Sequence, residues 1–259
     1  MILARLTRAI RAQNWFAVAL EFIIVIAGVV IGFQVTAWNS DREASARAEI
    51  LTSQLIADLR GEQWRVDGVS IYYSQVADNA QRAIDALEGR RDVDDETLVI
   101  EAFRATQIFS FPVIRATYEE MVATGTIDLI SDEALMTAAV EYYETGQDEM
   151  SFLDRERAYR RAFFRLSDRA LYEALVANCA EPLTLTIGDY AALPDILDFA
   201  CEIDGQDSAI AQMAQRLRAS EDLLPLLRQR AVETSLESQS QTYWRQMFER
   251  ILPPTQTPQ

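Results

Sequence analysis

The chain contains no histidine and no lysine, and these two absences narrow the chemistry open to it. Histidine is the side chain most used for proton transfer near neutral pH and for binding transition metals, so hydrolases with a histidine base are excluded. Without lysine there is no Schiff-base nucleophile and no Walker-type or kinase-type lysine. No glycine-rich phosphate loop or nucleophile elbow is present either. We therefore predict a protein that is not an enzyme and that has no cofactor and no metal site.

Positive charge is scarce as well, because the formal net charge is −16 and all 24 basic residues are arginine. Residues 1–40 carry three arginines and one acid, a net charge of +2, so the remaining 219 residues carry −18. A part of the chain with that charge is repelled by polyanions. The composition therefore predicts no nucleic-acid partner.

One long apolar run, Trp15 to Trp38, contains a single ionisable residue. As a helix it is about 35 Å long, enough to cross a bilayer with some tilt, and a tryptophan marks each end. The flank 1–14 has three arginines and no acid, whereas residues 41–49 mix both signs, so the positive-inside rule predicts a cytoplasmic N-terminus. The predicted organisation is a cytoplasmic segment 1–14, a transmembrane helix 15–38, an extracytoplasmic helical domain 39–252 and a disordered tail 253–259. A signal peptide cleaved near residues 44–46 is the alternative.

Glu21, Gly28 and Gly32 fall on one face of this run, within about 40° of each other at about 100° per residue. An ionisable residue in hydrocarbon costs about 2.5 kcal/mol or more, and Gly-x-x-x-Gly lets two helices approach closely. We therefore predict a helix-packing face at these residues. The alternative is that Glu21 lies near the cytoplasmic interface and that glycine is simply common in such helices.

Two segments carry motifs with a characteristic spacing. The first follows the pattern E-x6-G-x5-Q-x3-W-N, from Glu21 to Asn39. The second consists of Thr117-Tyr118-Glu119, Thr124-Gly125-x-Ile127-x-Leu129-Ile130 and Tyr142-Tyr143. Together they resemble a bacterial family of single-pass membrane proteins of unknown function, whose second pattern is T-Y-E, S-G-x-L-x-L-I and Y-Y. Here Thr124 replaces the usual serine. The resemblance covers residues 15–60 and 115–145 and implies the bacterial inner membrane, with the bulk of the chain in the periplasm, but no reaction.

The rest of the pattern predicts an all-α fold. Apolar residues recur every seven positions along Asp41 to Leu87, with Glu62 as the one polar interruption, so we predict one long helix that continues the transmembrane helix. It belongs either to an antiparallel bundle within the chain, which we favour, or to a dimeric coiled coil. The other predicted helices are Asp94–Ile108, Pro112–Thr124, Ser131–Tyr143, Asp148–Ala177, Leu193–Ala200, Ser208–Ala219 and Ser220–Leu252.

Two further groups of residues are candidates for a role. Cys179 and Cys201 are the only cysteines, and in an oxidising compartment they are predicted to form a disulfide, with two buried thiols as the alternative. Arg157, Arg161 and Arg165 step by four along one helix face. They form a possible stripe for an anion or an acidic partner, although such runs more often pair with acids on neighbouring helices.

These observations lead to two functional hypotheses. The first is a non-enzymatic accessory or scaffold protein that is anchored in the lipid bilayer and binds a membrane-protein partner, or further copies of itself, through the membrane face and the bundle. The second is a receptor-like sensor whose exported bundle binds a small ligand.

Overall fold

A computed structural model describes residues 15–108, 113–145, 157–181 and 185–252. The cytoplasmic segment and the disordered tail predicted for 1–14 and 253–259 lie outside these ranges. Within the described ranges every regular element is helical, which confirms the all-α prediction. The α-helices are α1 (Trp15–Leu87), α2 (Asp95–Arg104), α3 (Ala116–Thr124), α4 (Glu133–Glu144), α5 (Arg157–Leu166), α6 (Arg169–Cys179), α7 (Asp207–Ala219), α8 (Leu223–Ser240) and α9 (Thr242–Ile251).

Helix α1 is 73 residues long and combines two kinds of sequence without a break. Its first part contains a window with a mean hydropathy of 2.5 and none of its residues buried, so it is long and apolar enough to cross a membrane. Its second part, from Ala48 onward, is covered on one side by the other helices. The predicted continuity of the apolar helix with the amphipathic helix is therefore confirmed.

Three apolar cores are stacked along the second part of α1. The first joins Leu51–Val66 to α3, α4 and α9, and the second surrounds Trp64 and Tyr72. The third joins Ala80–Ile84 to α2, α5, α6, α7 and the start of α8. These clusters show that the chain's own helices cover the apolar residues that recur every seven positions along α1, as expected for a bundle within the chain.

Helices α8 and α9 run back along α1 toward the apolar segment. Leu223 at the start of α8 lies in the third core, whereas Phe248 in α9 lies in the first. Between them, Ser238 Oγ donates to the carbonyl oxygen of Ser70 at 2.8 Å and Arg245 Nε donates to Asp67 Oδ1 at 2.6 Å. The bundle is therefore antiparallel.

Three of the predicted helices are wrong in detail. The helix predicted over Asp148–Ala177 is interrupted within its described part, because Asp168 accepts the Leu171 N–H and starts α6. The predicted helix Leu193–Ala200 is absent, since Gln75 on α1 binds the Pro194 carbonyl and the Leu197 N–H and holds that backbone in turns. The helix predicted over Ser220–Leu252 is divided at Gln241 into α8 and α9.

The predicted disulfide joins the end of α6 to the segment before α7. Cys179 is buried, the Cα atoms of Cys179 and Cys201 are 5.4 Å apart, and their sulfur atoms lie within bonding distance. Buried Arg104 supports this junction, because it donates to the carbonyl oxygens of Cys179 at 3.3 Å and of Phe199 at 2.7 Å. Its guanidinium also lies over the Phe199 ring, 4.7 Å from the centroid.

Candidate functional site

One side of α1 stays uncovered from the apolar segment well into the domain, and we name it the open face. Viewed down the helix axis, at about 100° per residue, each of its residues lies within about 40° of Gly32. All of them are exposed, and Ile50 leaves 62% of its surface accessible. The open face consists of Glu21, Val25, Gly28, Gly32, Thr36, Asn39, Glu43, Ala46, Ile50, Gln54 and Ala57. It is about 54 Å long at the rise of an α-helix.

The bundle covers the opposite side of α1. The buried residues Leu51, Leu55 and Leu59 lie about 100° to 180° from Gly32 around the helix axis. The open face is therefore not covered by the bundle between Glu21 and Ala57, although α3 lies beside it, where Glu120 pairs with Arg47. The uncovered stretch ends at Gly61, where Ile114 and Ile187 approach α1.

The small residues give this face its shape. A Cβ atom built on Gly28 or Gly32 meets no heavy atom within 4 Å, so the chain itself leaves both positions open. Asn39 Nδ2 donates to Glu43 Oε1 at 2.7 Å, one turn apart. The structure thus brings the three predicted residues Glu21, Gly28 and Gly32 onto one face and extends that face by several residues that the sequence analysis did not identify.

A buried polar cluster lies on the covered side of α1 and fixes how the bundle attaches to it. Glu62 is completely buried, and its Oε2 accepts from Arg65 Nε at 2.7 Å and from the Tyr142 hydroxyl. Glu62 Oε1 accepts the backbone N–H of Ile114 at 2.7 Å, and Arg65 Nη2 donates to the Tyr142 oxygen at 2.6 Å. Burial raises the pKa of Tyr142 well above its ordinary value, so the hydroxyl keeps its proton and can donate. One carboxylate therefore ties α1 to α4 and to the segment before α3.

Tyrosines surround this cluster and pack against one another. Tyr118 and Tyr143 stack with ring centroids 4.6 Å apart, and the Tyr143 hydroxyl donates to the Ile114 carbonyl at 2.8 Å. The Tyr118 hydroxyl donates to Glu144 Oε1 at 2.9 Å. Burial, together with that hydrogen bond and the charge of Glu144, raises the pKa of Tyr118 to about 12.

We expect Tyr118→Phe to weaken the loss of stability at alkaline pH. The pKa of Tyr118 is higher in the folded than in the unfolded chain. The contribution of its protonated hydroxyl to the free energy of unfolding is therefore complete below about pH 10 and is lost as the pH rises through about 12. Urea unfolding of both proteins at pH 8 and pH 11, followed by circular dichroism, measures the effect. An equal fall in the free energy of unfolding for both proteins would contradict it.

The arginine stripe on α5 is exposed where the structure describes it. Arg161 and Arg165 point to solvent and have no ion pair within the described residues, and the side chain of Arg157 lies outside them. The neighbouring Arg160 lies over the Phe164 ring at 5.2 Å. Binding of an anion or an acidic partner by this stripe stays a prediction.

A groove of about 620 Å³ lies between α1 and α8, in the half of the domain far from the apolar segment. Val232 and Leu236, each 60% exposed, form one wall. On the other side Glu88 is held by Arg90 and Arg228, so the charges there are largely paired. The groove therefore combines an apolar wall with paired charges.

In the sequence, Glu62 stands out only as an interruption of the apolar stripe, and its role in attaching the bundle was not predicted. The signal was present, since a carboxylate inside an apolar row with arginine three residues later indicates a buried ion pair. Its partner Tyr142 is 80 residues away, and no periodicity connects the two.

Comparison of the chain with family models, curated proteins and solved structures finds no match, so the family resemblance stays a prediction.

Proposed function

We propose that this protein is a single-pass, membrane-anchored accessory or scaffold protein that catalyses no reaction and binds another membrane protein along the open face. The apolar part of α1 spans the bacterial inner membrane, with the N-terminus in the cytoplasm and the bundle in the periplasm. The observation that supports this most is that the side of α1 that carries Glu21, Gly28 and Gly32 stays exposed as far as Ala57, where the bundle already covers the opposite side. A partner can therefore contact the membrane segment and the domain with one helix.

The charges on the open face favour a partner of a different sequence. In a symmetric parallel pair each residue on the face lies near its own copy, which would place Glu21 against Glu21 and Glu43 against Glu43. Like charges facing each other are unfavourable, most of all in hydrocarbon. A partner helix with an arginine, lysine or hydrogen-bond donor at the level of Glu21 avoids this. A homo-oligomer is the alternative within the same function.

Gly32→Leu is expected to remove the partner from the complex purified in mild detergent. The leucine side chain fills the space into which the partner backbone fits. The matched control is Val30→Leu, because Val30 lies about 160° away from Gly32 around the helix and keeps the same apolar character. Quantitative mass spectrometry of the complexes measures partner per chain.

We expect the partner to be retained by Val30→Leu and lost from Gly32→Leu, with equal amounts of both variants in the membrane. Loss from both variants, or from neither, would show that the open face is not the contact.

The sensor hypothesis is the second candidate, and the groove between α1 and α8 favours it. Because the groove lies far from the apolar segment, a ligand there would act through the packing of α8 on α1. The discriminating measurement is a thermal shift of the full chain with a small-molecule collection. A ligand-dependent rise in the melting temperature that is lost in Val232→Asp would support the sensor over the scaffold.

A further inference from the structure

Helix α3 leads the chain toward the apolar segment. Just before α3, the Ile114 N–H is bound to Glu62, and within α3 the carboxylate of Glu120 accepts from Arg47 Nη2 at 2.5 Å. The two partners on α1 are fifteen residues apart, and Arg47 is the one nearer to Trp38. Helix α3 therefore runs antiparallel to α1 and ends at the level where the bundle begins.

Helix α4 leads the chain away again. Asp132 caps its start by accepting the N–H groups of Ala134 and Leu135, and Tyr142 near its end reaches Glu62. The residues between the two helices, 125–132, which we name the proximal turn, thus lie at the end of the described domain that faces the apolar segment. Gly125, with φ +68°, allows the reversal.

Two routes give the distance of the proximal turn from Trp38. Arg47 lies nine residues after Trp38, about 13.5 Å along α1, and α3 continues for four residues, about 6 Å, beyond Glu120. The end of α3 is then about 8 Å from the level of Trp38. Ala44, already half-buried, lies six residues after Trp38, about 9 Å, which agrees.

Apolar side chains are exposed at this end. Val122 in the last turn of α3 is 48% exposed, and Leu129 in the proximal turn is 47% exposed. Acidic residues surround them, among them Asp128, Asp132 and Glu133, and all three are exposed. Exposed apolar side chains among acidic ones suit a lipid surface whose headgroups carry no net charge. The acidic residues would be repelled by a surface of anionic lipid.

We propose that the proximal turn rests on the outer leaflet of the bilayer, with Val122 and Leu129 in the headgroup region of zwitterionic phospholipid. This rests on the proposed membrane anchoring of the apolar segment. With Trp38 taken at the hydrocarbon boundary, the interfacial region extends about 5 to 7 Å beyond it. A turn about 8 Å from Trp38 then lies at the outer edge of this region, within reach of its side chains. This contact would fix the angle of the domain and keep the open face accessible to the partner.

The experiment places a fluorophore on Leu129→Cys in the full chain. Cys179 and Cys201 are bonded to each other, so a thiol-reactive nitrobenzoxadiazole label attaches to the new cysteine alone. The protein is inserted into phosphatidylcholine nanodiscs with or without nitroxide-labelled lipid. The matched control is Val232→Cys, which is at least as exposed as Leu129 and lies beside the α1 residues about 58 Å beyond Trp38.

We expect roughly twofold or stronger quenching for the label at position 129 and almost none at position 232. Adding phosphatidylglycerol is expected to reduce the quenching at position 129, because of the three acids. Val122→Cys provides a second position if Leu129→Cys folds poorly. Equal quenching at positions 129 and 232 would overturn the proposal, and stronger quenching with phosphatidylglycerol would overturn its lipid class.

The two proposals fail in different ways. If the protein does not co-elute with the nanodiscs, the anchoring is wrong and the lipid contact fails with it. If it co-elutes and the label at position 129 stays unquenched, only the lipid contact is wrong.

Discussion

Glu62→Ala is expected to lower the free energy of unfolding of the domain by about 3–5 kcal/mol, the range for breaking a buried ion pair. The change removes the acceptor of three hydrogen bonds and leaves Arg65 buried without its carboxylate. It also releases the segment before α3 from α1. Chemical denaturation of the full chain in detergent, monitored by the near-ultraviolet signal of the tyrosines, measures the loss.

The matched control is Glu49→Ala on the same helix. Glu49 is exposed, so its replacement is expected to change the free energy of unfolding by no more than about 0.5 kcal/mol. Tyr142→Phe removes one hydroxyl and is expected to have an effect between the two, about 1.5–3 kcal/mol for a hydrogen bond to a charged group. Equal effects of Glu62→Ala and Glu49→Ala would contradict the role of the buried cluster.

Reduction of the disulfide is expected to lower the free energy of unfolding by about 3 kcal/mol, the loop-entropy value for a closed loop of this length. Dithiothreitol should therefore lower the melting temperature of protein isolated from the membrane. The expected loss is the same for Cys179→Ala and for Cys201→Ala, because either change opens the loop.

The oxidation state of Cys179 and Cys201 in cells indicates which compartment contains the domain. In cells, alkylation of free thiols with a maleimide of high mass should leave the wild-type chain unmodified and should modify one thiol in each single variant. Full modification of the wild-type chain at both thiols, with no effect of dithiothreitol on stability, would contradict the periplasmic location of the domain.

Much of the fold was predictable because it depends on local patterns. The apolar run and the seven-residue row each define a helix face, and together they predicted α1 from Trp15 to Leu87. The two glycines on one turn of that helix indicated the first part of the open face. Its continuation to Ala57 depends on which side the bundle covers, and that is a tertiary property.

One of the errors has the same tertiary origin, whereas the break at Asp168 comes from a local helix cap. The backbone from Leu193 to Ala200 is not helical because Gln75, more than a hundred residues earlier, binds it. The exposure of Val122 and Leu129 depends on the direction of α3, which is set by the contacts of Ile114 and Glu120 with α1. Such long-range contacts leave no periodic signal in the sequence.

The most direct test of the central claim is the mass of the intact complex after gentle detergent extraction of the native membrane. We expect a defined complex that contains this 29.3 kDa chain and at least one other membrane protein in fixed ratio. A complex of this chain alone would make the partner a second copy and contradict the argument from Glu21 and Glu43. A lone monomer would contradict the scaffold function itself.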